Sequence, residues 1–331
     1  MFKLNWKLIT INFILLLSLL FIIDIYSSYK AYEAICDYRY TKAASLGFNK
    51  DDVTCVDFEY RFGLIPFKKI WEKESPNFND NKRRDIIKDN KDNKSVLLLG
   101  CSFAEGVNPD YKSNLNYILS DYTGYSVYNR AFGGFGPANT LWQVRNPKFY
   151  EGIKIPPTYI LYVYVPYQPE RIFNDKWGDS SSRPIYIGYN EKDGKLIENK
   201  SPFLLLCNFN WIKRIFLENL YENPNNSLKQ KFHLFKLHIL ESQVELQKKY
   251  PNAKFIIVKY PIKTEPGNED KEYYAVTDEW NEFKEKGIII YDLEKEINAD
   301  LTSKEYLLPD LHPNKKAWET IVPKLVKDLS L

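Results

Sequence analysis

Ser95-Val-Leu-Leu-Leu-Gly-Cys-Ser-Phe-Ala-Glu-Gly106 is the stretch on which the reading of this chain turns. Its apolar run, Val96 to Leu99, stops at Gly100, and a serine follows at Ser102. An apolar run this short, bounded by glycine, reads as a strand buried on both faces, as in a parallel sheet. A serine just past the carboxyl end of such a strand stands where open α/β sheets build their sites. Far downstream, Pro309-Asp-Leu-His-Pro-Asn314 sets His312 beside Asp310. The other histidines, His233 and His238, fall together on one helical stretch and read as packing or surface residues.

Outward from Ser95, strands and helices alternate. Strands are expected at Tyr125–Asn129, Tyr159–Val165, Phe255–Tyr260 and Gly287–Asp292. Helices are expected at Ser113–Thr123, Ala138–Val144, Leu228–Lys249 and Lys315–Leu329, the last kinked at Pro323. That alternation predicts a parallel sheet in a three-layer α/β/α domain spanning residues 95–331. Arg130-Ala-Phe-Gly-Gly-Phe-Gly-Pro137 is a glycine-rich strand-to-helix loop. Residues 170–225 read as an insertion that shapes a cleft. Residues 27–94 read as a membrane-proximal extension, with a strand and turn at Tyr60–Phe67. Its polar run from Lys73 to Lys94 reads as a solvated linker, so the core is expected to begin near Ser95.

Residues 1–26 form a third unit. Leu8 to Ile23 carry no charge, and Lys3 and Lys7 precede them. Extended through Tyr26, the run approaches the roughly 20 residues a membrane helix needs, with the amino terminus in the cytoplasm. Asp24-Ile-Tyr-Ser-Ser-Tyr29 lacks a small-x-small cleavage site, which favours an uncleaved anchor over a signal peptide. Ile35 before Cys36 argues against lipid attachment. The expected location is the cytoplasmic membrane, single-pass, with the large domain on the extracytoplasmic side. In that setting Cys36 and Cys55 are candidates for a disulfide, whereas Cys101 and Cys207 sit in apolar surroundings as buried thiols. With 46 basic against 43 acidic residues, the chain has no charge bias toward nucleic acid. No Cys/His spacing suggests a metal, and no cofactor is implied.

Serine is a weak nucleophile until a neighbouring base takes its proton. Histidine suits that task because its ordinary pKa, about 6.5, lets it take and return a proton near neutrality. Ser102, His312 and Asp310 therefore make a candidate nucleophile, base and orienting acid. An oxyanion needs donors aimed at it, and the backbone N–H groups of Ser102 and Gly134 are the candidates.

At these residues the chain resembles the GDSL/SGNH hydrolases. Val96 to Val107 is similar to the family's first block, with Ser102 at the nucleophile. Asn129-Arg-Ala-Phe-Gly-Gly-Phe-Gly136 is similar to the second, with Gly134 at the oxyanion donor, and Asp310-Leu-His-Pro-Asn314 to the last, which carries acid and base. The resemblance covers roughly Ser95 to Leu329 and implies an SGNH/flavodoxin-like fold. Three positions depart from it. Cys101 stands for the aspartate of the first block. The acid precedes His312 by two positions, not three. The third block's asparagine, a second oxyanion donor, has no clear counterpart; Tyr167 or Gln168 falls in its place, and Gln168 could donate through its amide. The resemblance implies a membrane-anchored serine esterase, O-acyl esterase or acyltransferase acting on ester-linked acyl groups of envelope carbohydrate or lipid. The competing expectation is a non-catalytic envelope protein of the same fold that binds carbohydrate or a protein partner.

Overall fold

The computed structural model describes residues 10–16, 18–19, 22, 85–89, 93–106, 108, 110–172, 187–190, 195–198, 228–262 and 277–331. Its strands are β1 (Ser95–Gly100), β2 (Ser126–Asn129), β3 (Tyr159–Tyr164), β4 (Ile187–Asn190), β5 (Lys195–Glu198), β6 (Lys254–Lys259) and β7 (Ile289–Asp292). Its helices are α1 (Ser102–Glu105), α2 (Leu115–Thr123), α3 (Pro137–Arg145), α4 (Leu228–Lys249), α5 (Thr277–Glu285), α6 (Leu293–Glu296) and α7 (Lys315–Leu329). Five strands pair in the order β2-β1-β3-β6-β7, every pair parallel, while β4 and β5 form a separate antiparallel pair.

Both faces of the sheet are covered, which is why its strands read as continuous apolar runs rather than alternating ones. Val96, Leu98, Val127, Leu161, Val163, Ile256 and Val258 pack with Leu119 of α2 and Trp318, Ile321 and Leu325 of α7. The intervening Leu97, Leu99, Tyr128, Ile160, Tyr162 and Ile257 pack on the opposite face with Leu141 of α3, Phe232, Phe235 and Ile239 of α4, and Phe283 of α5. The period of two along each strand thus sorts side chains into two cores, giving the expected three layers. Helix α2 starts two residues later than read from the sequence, behind a 3-10 turn at Tyr111–Ser113. Helix α5 was not read at all, because its apolar face is only Trp280 and Phe283 among acidic residues.

The strand order places the site. From β1 the chain goes out to β2, then returns to β3 on the other side of β1, the switch in strand order at whose carboxyl ends open α/β sheets place their sites. Gly100 ends β1 opposite Val163 at a positive φ of 130°, and a Cβ there would stand 2.8 Å from the Val163 carbonyl oxygen. Only glycine allows β1 to approach β3 so closely where the chain turns away to Ser102.

The solvated-linker reading of residues 73–94 is corrected where the structure describes that stretch. Ile86 bridges antiparallel to Val127 through hydrogen bonds of 2.9 and 2.8 Å, covering the exposed edge of β2. Asp85 accepts from the Arg130 guanidinium at 2.6 Å and from the Asn129 N–H at 3.1 Å. The domain's contacts therefore begin before Ser95, while its buried core starts at Ser95 and Val96 as expected. A pair of isoleucines, Ile86 and Ile87, among charges carries no periodicity, so the edge pairing leaves no sequence signal.

His238 is buried in α4, and its Nδ1 lies 2.7 Å from the Leu234 carbonyl oxygen. That oxygen only accepts, so Nδ1 carries the proton and Nε2 is left without a partner. Burial, helped by the nearby Arg145 charge and opposed by the Leu234 bond, pushes the His238 pKa down from 6.5 to about 4. A base with a depressed folded pKa takes up its proton on unfolding, so stability falls as pH drops from about 6.5 toward 4. Between roughly pH 7.5 and 4.5 this residue is expected to cost the fold about 2–3 kcal/mol. Urea unfolding of His238→Gln should show a correspondingly shallower loss of stability with acid than the parent chain; identical pH slopes would refute the assignment.

At the amino terminus the described residues 10–16, 18–19 and 22 are helical, and Ile11, Phe13, Leu15 and Ile22 are more than half exposed. Among the described residues no helix is long and apolar enough to cross a membrane. Cys36, Cys55, Cys207, the Tyr60–Phe67 stretch and most of 170–225 lie outside the described residues.

Candidate active site

Ser102 opens α1 just beyond Gly100, and His312 reaches it from a loop 210 positions downstream, with Nε2 2.7 Å from Ser102 Oγ. That loop is braced from within. Leu308 N–H donates to the His312 carbonyl at 2.8 Å, Leu311 N–H donates back to Leu308 at 2.9 Å, and Leu307 bridges Pro313. Asn314 seals it to the next helix by capping α7 at Ala317 N–H, 3.1 Å, while its amide donates to the Glu305 and Leu307 carbonyls. Asn108 reaches the same loop from the nucleophile's side, donating to the Pro313 carbonyl at 3.2 Å.

Between Asp310 and His312, Leu311 adopts a left-handed φ of 70°, a conformation that costs a non-glycine residue about 1–2 kcal/mol. The reversal folds Asp310 back over its neighbour. Asp310 Oδ1 accepts the His312 backbone N–H at 3.2 Å, and Oδ2 lies 3.1 Å from His312 Nδ1. The two-residue spacing is thus accommodated by one strained residue. The carboxylate stands at ion-pair distance but off the ring's N–H axis, so Nδ1 has no aligned acceptor. The imidazole packs against Phe103, ring centroids 5.1 Å apart, and Phe103 in turn meets Tyr260 at 5.2 Å and Tyr167 at 6.4 Å. This aromatic wall sets the plane of the base.

The glycine-rich loop is sewn to the nucleophile turn. Asn129 Nδ2 donates to the Ala104 and Glu105 carbonyls, both at 3.0 Å, while its Oδ1 accepts from Ala131 N–H at 3.0 Å. Phe132 N–H donates to the Gly100 carbonyl at 3.2 Å. Gly134 has a φ of 78°, and neither its N–H nor that of Ser102 finds an acceptor among the described residues. Gly133 N–H, by contrast, donates to the Glu105 carboxylate.

Gln168 does not fill the place of the missing asparagine. It is fully buried, its amide nitrogen donates to the Val163 carbonyl at 3.3 Å, and its oxygen accepts from Val165 N–H at 3.4 Å. Its amide closes the turn after β3, because those backbone groups would otherwise be buried without partners. Cys101 is a free thiol buried in the core between the sheet and α2 and α7. His233 lies on α4, 3.7 Å from Glu279, and His238 is inside the same helix's packing. Neither joins Ser102. Among the described residues no cluster of His, Cys, Asp or Glu is built to hold a metal ion.

Sequence reasoning missed Glu105, Asn108 and Leu311. Glu105 was detectable as the one charge in the Val96–Gly106 block, three residues from Ser102 and so on its side of a helical turn. Asn108 and Leu311 gave no signal, since one acts across 205 positions and the other by its φ.

No protein-family model matches the chain, and a search of curated proteins finds no match. Among solved structures, it is similar to a family two carbohydrate esterase from Clostridium thermocellum solved with cellohexaose (12% identity, TM-score 0.40, 72% of this chain and 65% of that one). It is also similar to TesA (10%, 0.42, 71% and 98%). A third is an acetyl xylan esterase from the rumen bacterium Butyrivibrio proteoclasticus (13%, 0.38, 74% and 64%). The chain thus spans just under two thirds of the two carbohydrate esterases' length.

Proposed function

We propose that the chain is a serine esterase or acyltransferase, and the observation that carries this reading is the 2.7 Å contact between Ser102 Oγ and His312 Nε2. In the attack, His312 takes the hydroxyl proton as Oγ bonds to an ester carbonyl carbon. Asp310 favours the imidazolium that results, and Phe103 holds the ring in plane. The oxyanion meets the N–H groups of Ser102 and Gly134, which have no other acceptor among the described residues. The tetrahedral intermediate collapses as His312 returns the proton to the leaving alcohol. A water or a sugar hydroxyl, deprotonated by the same base, then releases the acyl group. Gln168 is spent on the backbone after β3 and does not stand for the missing asparagine, so the oxyanion is assigned to the two backbone donors. That shortage also favours the second reading, a carbohydrate- or partner-binding protein on the same fold.

The proposed substrate is an ester-linked acyl group on envelope carbohydrate or lipid, reached by a domain outside the cytoplasmic membrane. The exposed apolar side chains from Ile11 to Ile22, behind Lys3 and Lys7, support an amino-terminal anchor. One experiment tests both parts. Membranes of cells making the full chain are washed with alkaline carbonate and labelled with a fluorophosphonate. The expected result is a labelled band in the pellet that Ser102→Ala abolishes. A folded parent chain that takes no label would count against the serine, and a labelled band in the wash would count against the anchor.

A further inference from the structure

We propose that Glu105 is a positioning residue for the reaction ascribed to Ser102, an inference that rests on that reading. Glu105 ends the single turn of α1 that Ser102 begins, so the two share one side of the turn. Its carboxylate accepts the Gly133 N–H. Gly133 in turn lies against the nucleophile: a Cβ added there would stand 3.1 Å from Glu105 Oε2 and 3.9 Å from Ser102 Cβ. Two neighbouring N–H groups therefore have different fates. That of Gly133 is held by Glu105, while that of Gly134, turned by the left-handed φ, has no acceptor among the described residues.

Glu105 thereby fixes the peptide that precedes the free donor. Asn129 and the Phe132 N–H anchor the start of the same loop to the nucleophile turn, and among the described residues Glu105 is the acceptor that the glycine pair itself finds. The carboxylate's negative charge works against a developing oxyanion, so its contribution is geometric, through an acceptor oxygen. Glu105→Gln keeps such an oxygen and removes the charge; Glu105→Ala removes both.

The test uses the full-length chain and two readouts. One is amide hydrogen–deuterium exchange of the peptide spanning residues 130–136. The other is the fluorophosphonate labelling of Ser102, resolved into the saturating rate and the half-saturating concentration. Glu105→Ala is expected to exchange faster in that peptide and to label about 10²-fold more slowly at saturation, with Glu105→Gln within about threefold of the parent or faster. Unchanged exchange in Glu105→Ala overturns the proposal, as does faster exchange with unchanged labelling. So does a Glu105→Gln chain as slow as Glu105→Ala, which would make the charge the active feature. A folded parent chain unlabelled at Ser102 removes the esterase reading and the catalytic half of this one, while the exchange data still decide whether Glu105 holds the loop.

Discussion

His312→Ala is expected to lower ester turnover by about 10⁴–10⁶-fold, as much as Ser102→Ala does, and the double substitution to add little. The reason lies in the 2.7 Å contact: without a base at Nε2 the hydroxyl proton has no destination, so nucleophile and base fail as a unit. Both residues are partly exposed and outside the buried core, with the His312 side chain 14% exposed, so neither change should unfold the domain. The measurement is kcat/KM on a chromogenic acetate ester, alongside circular dichroism to show retained structure. A His312→Ala chain within tenfold of the parent would exclude this base. Asp310→Asn should cost less than either, because the carboxylate lies off the Nδ1 axis and its backbone bond to His312 can be kept by an amide oxygen.

Asp85→Ala is expected to be the most damaging single change to stability, at about 3–5 kcal/mol. The Arg130 side chain is 1% exposed and Asp85 is its only charged partner among the described contacts, itself 9% exposed. Arg130 also donates to the Phe149, Asn129 and Glu151 carbonyls, which hold its planar head but leave its charge uncompensated once Asp85 is gone. Against a typical domain stability of roughly 5–15 kcal/mol, that loss is large. Urea unfolding of the full chain checks it, with Asp85→Ala/Arg130→Met expected to recover most of the deficit because no charge is then buried alone. A loss under about 1 kcal/mol would show that Asp85 is a surface partner only. Since Arg130 leads directly into the glycine-rich loop, the same substitution should loosen the ground on which Gly133 and Gly134 stand.

The layers of this domain were legible because their causes are local. Val96–Leu99, Tyr159–Val165 and Phe255–Tyr260 are apolar without interruption, and only strands covered on both faces can be so. Leu228–Lys249 and Lys315–Leu329 carry their apolar side chains at helical spacing, and their observed bounds match. Ser102, Asp310 and His312 were legible as residue types in motif order, and the structure brings the three together.

What the sequence could not carry was decided by approach between distant segments. Asp85 reads as one charge in a polar run until Arg130 is seen buried beside it, and Gln168 reads as a free donor until its amide is seen filling the backbone's needs after β3. The two-residue spacing of acid and base is workable only through the left-handed Leu311, a backbone angle no residue type announces. By itself, then, the sequence determined which segments are strands and helices and which groups carry reactive chemistry, since hydrophobic period and functional groups are properties of the chain read in order. Only the tertiary structure decided which donors stay free at Ser102, because a hydrogen bond from Gly133 to Glu105 depends on where two turns meet in space.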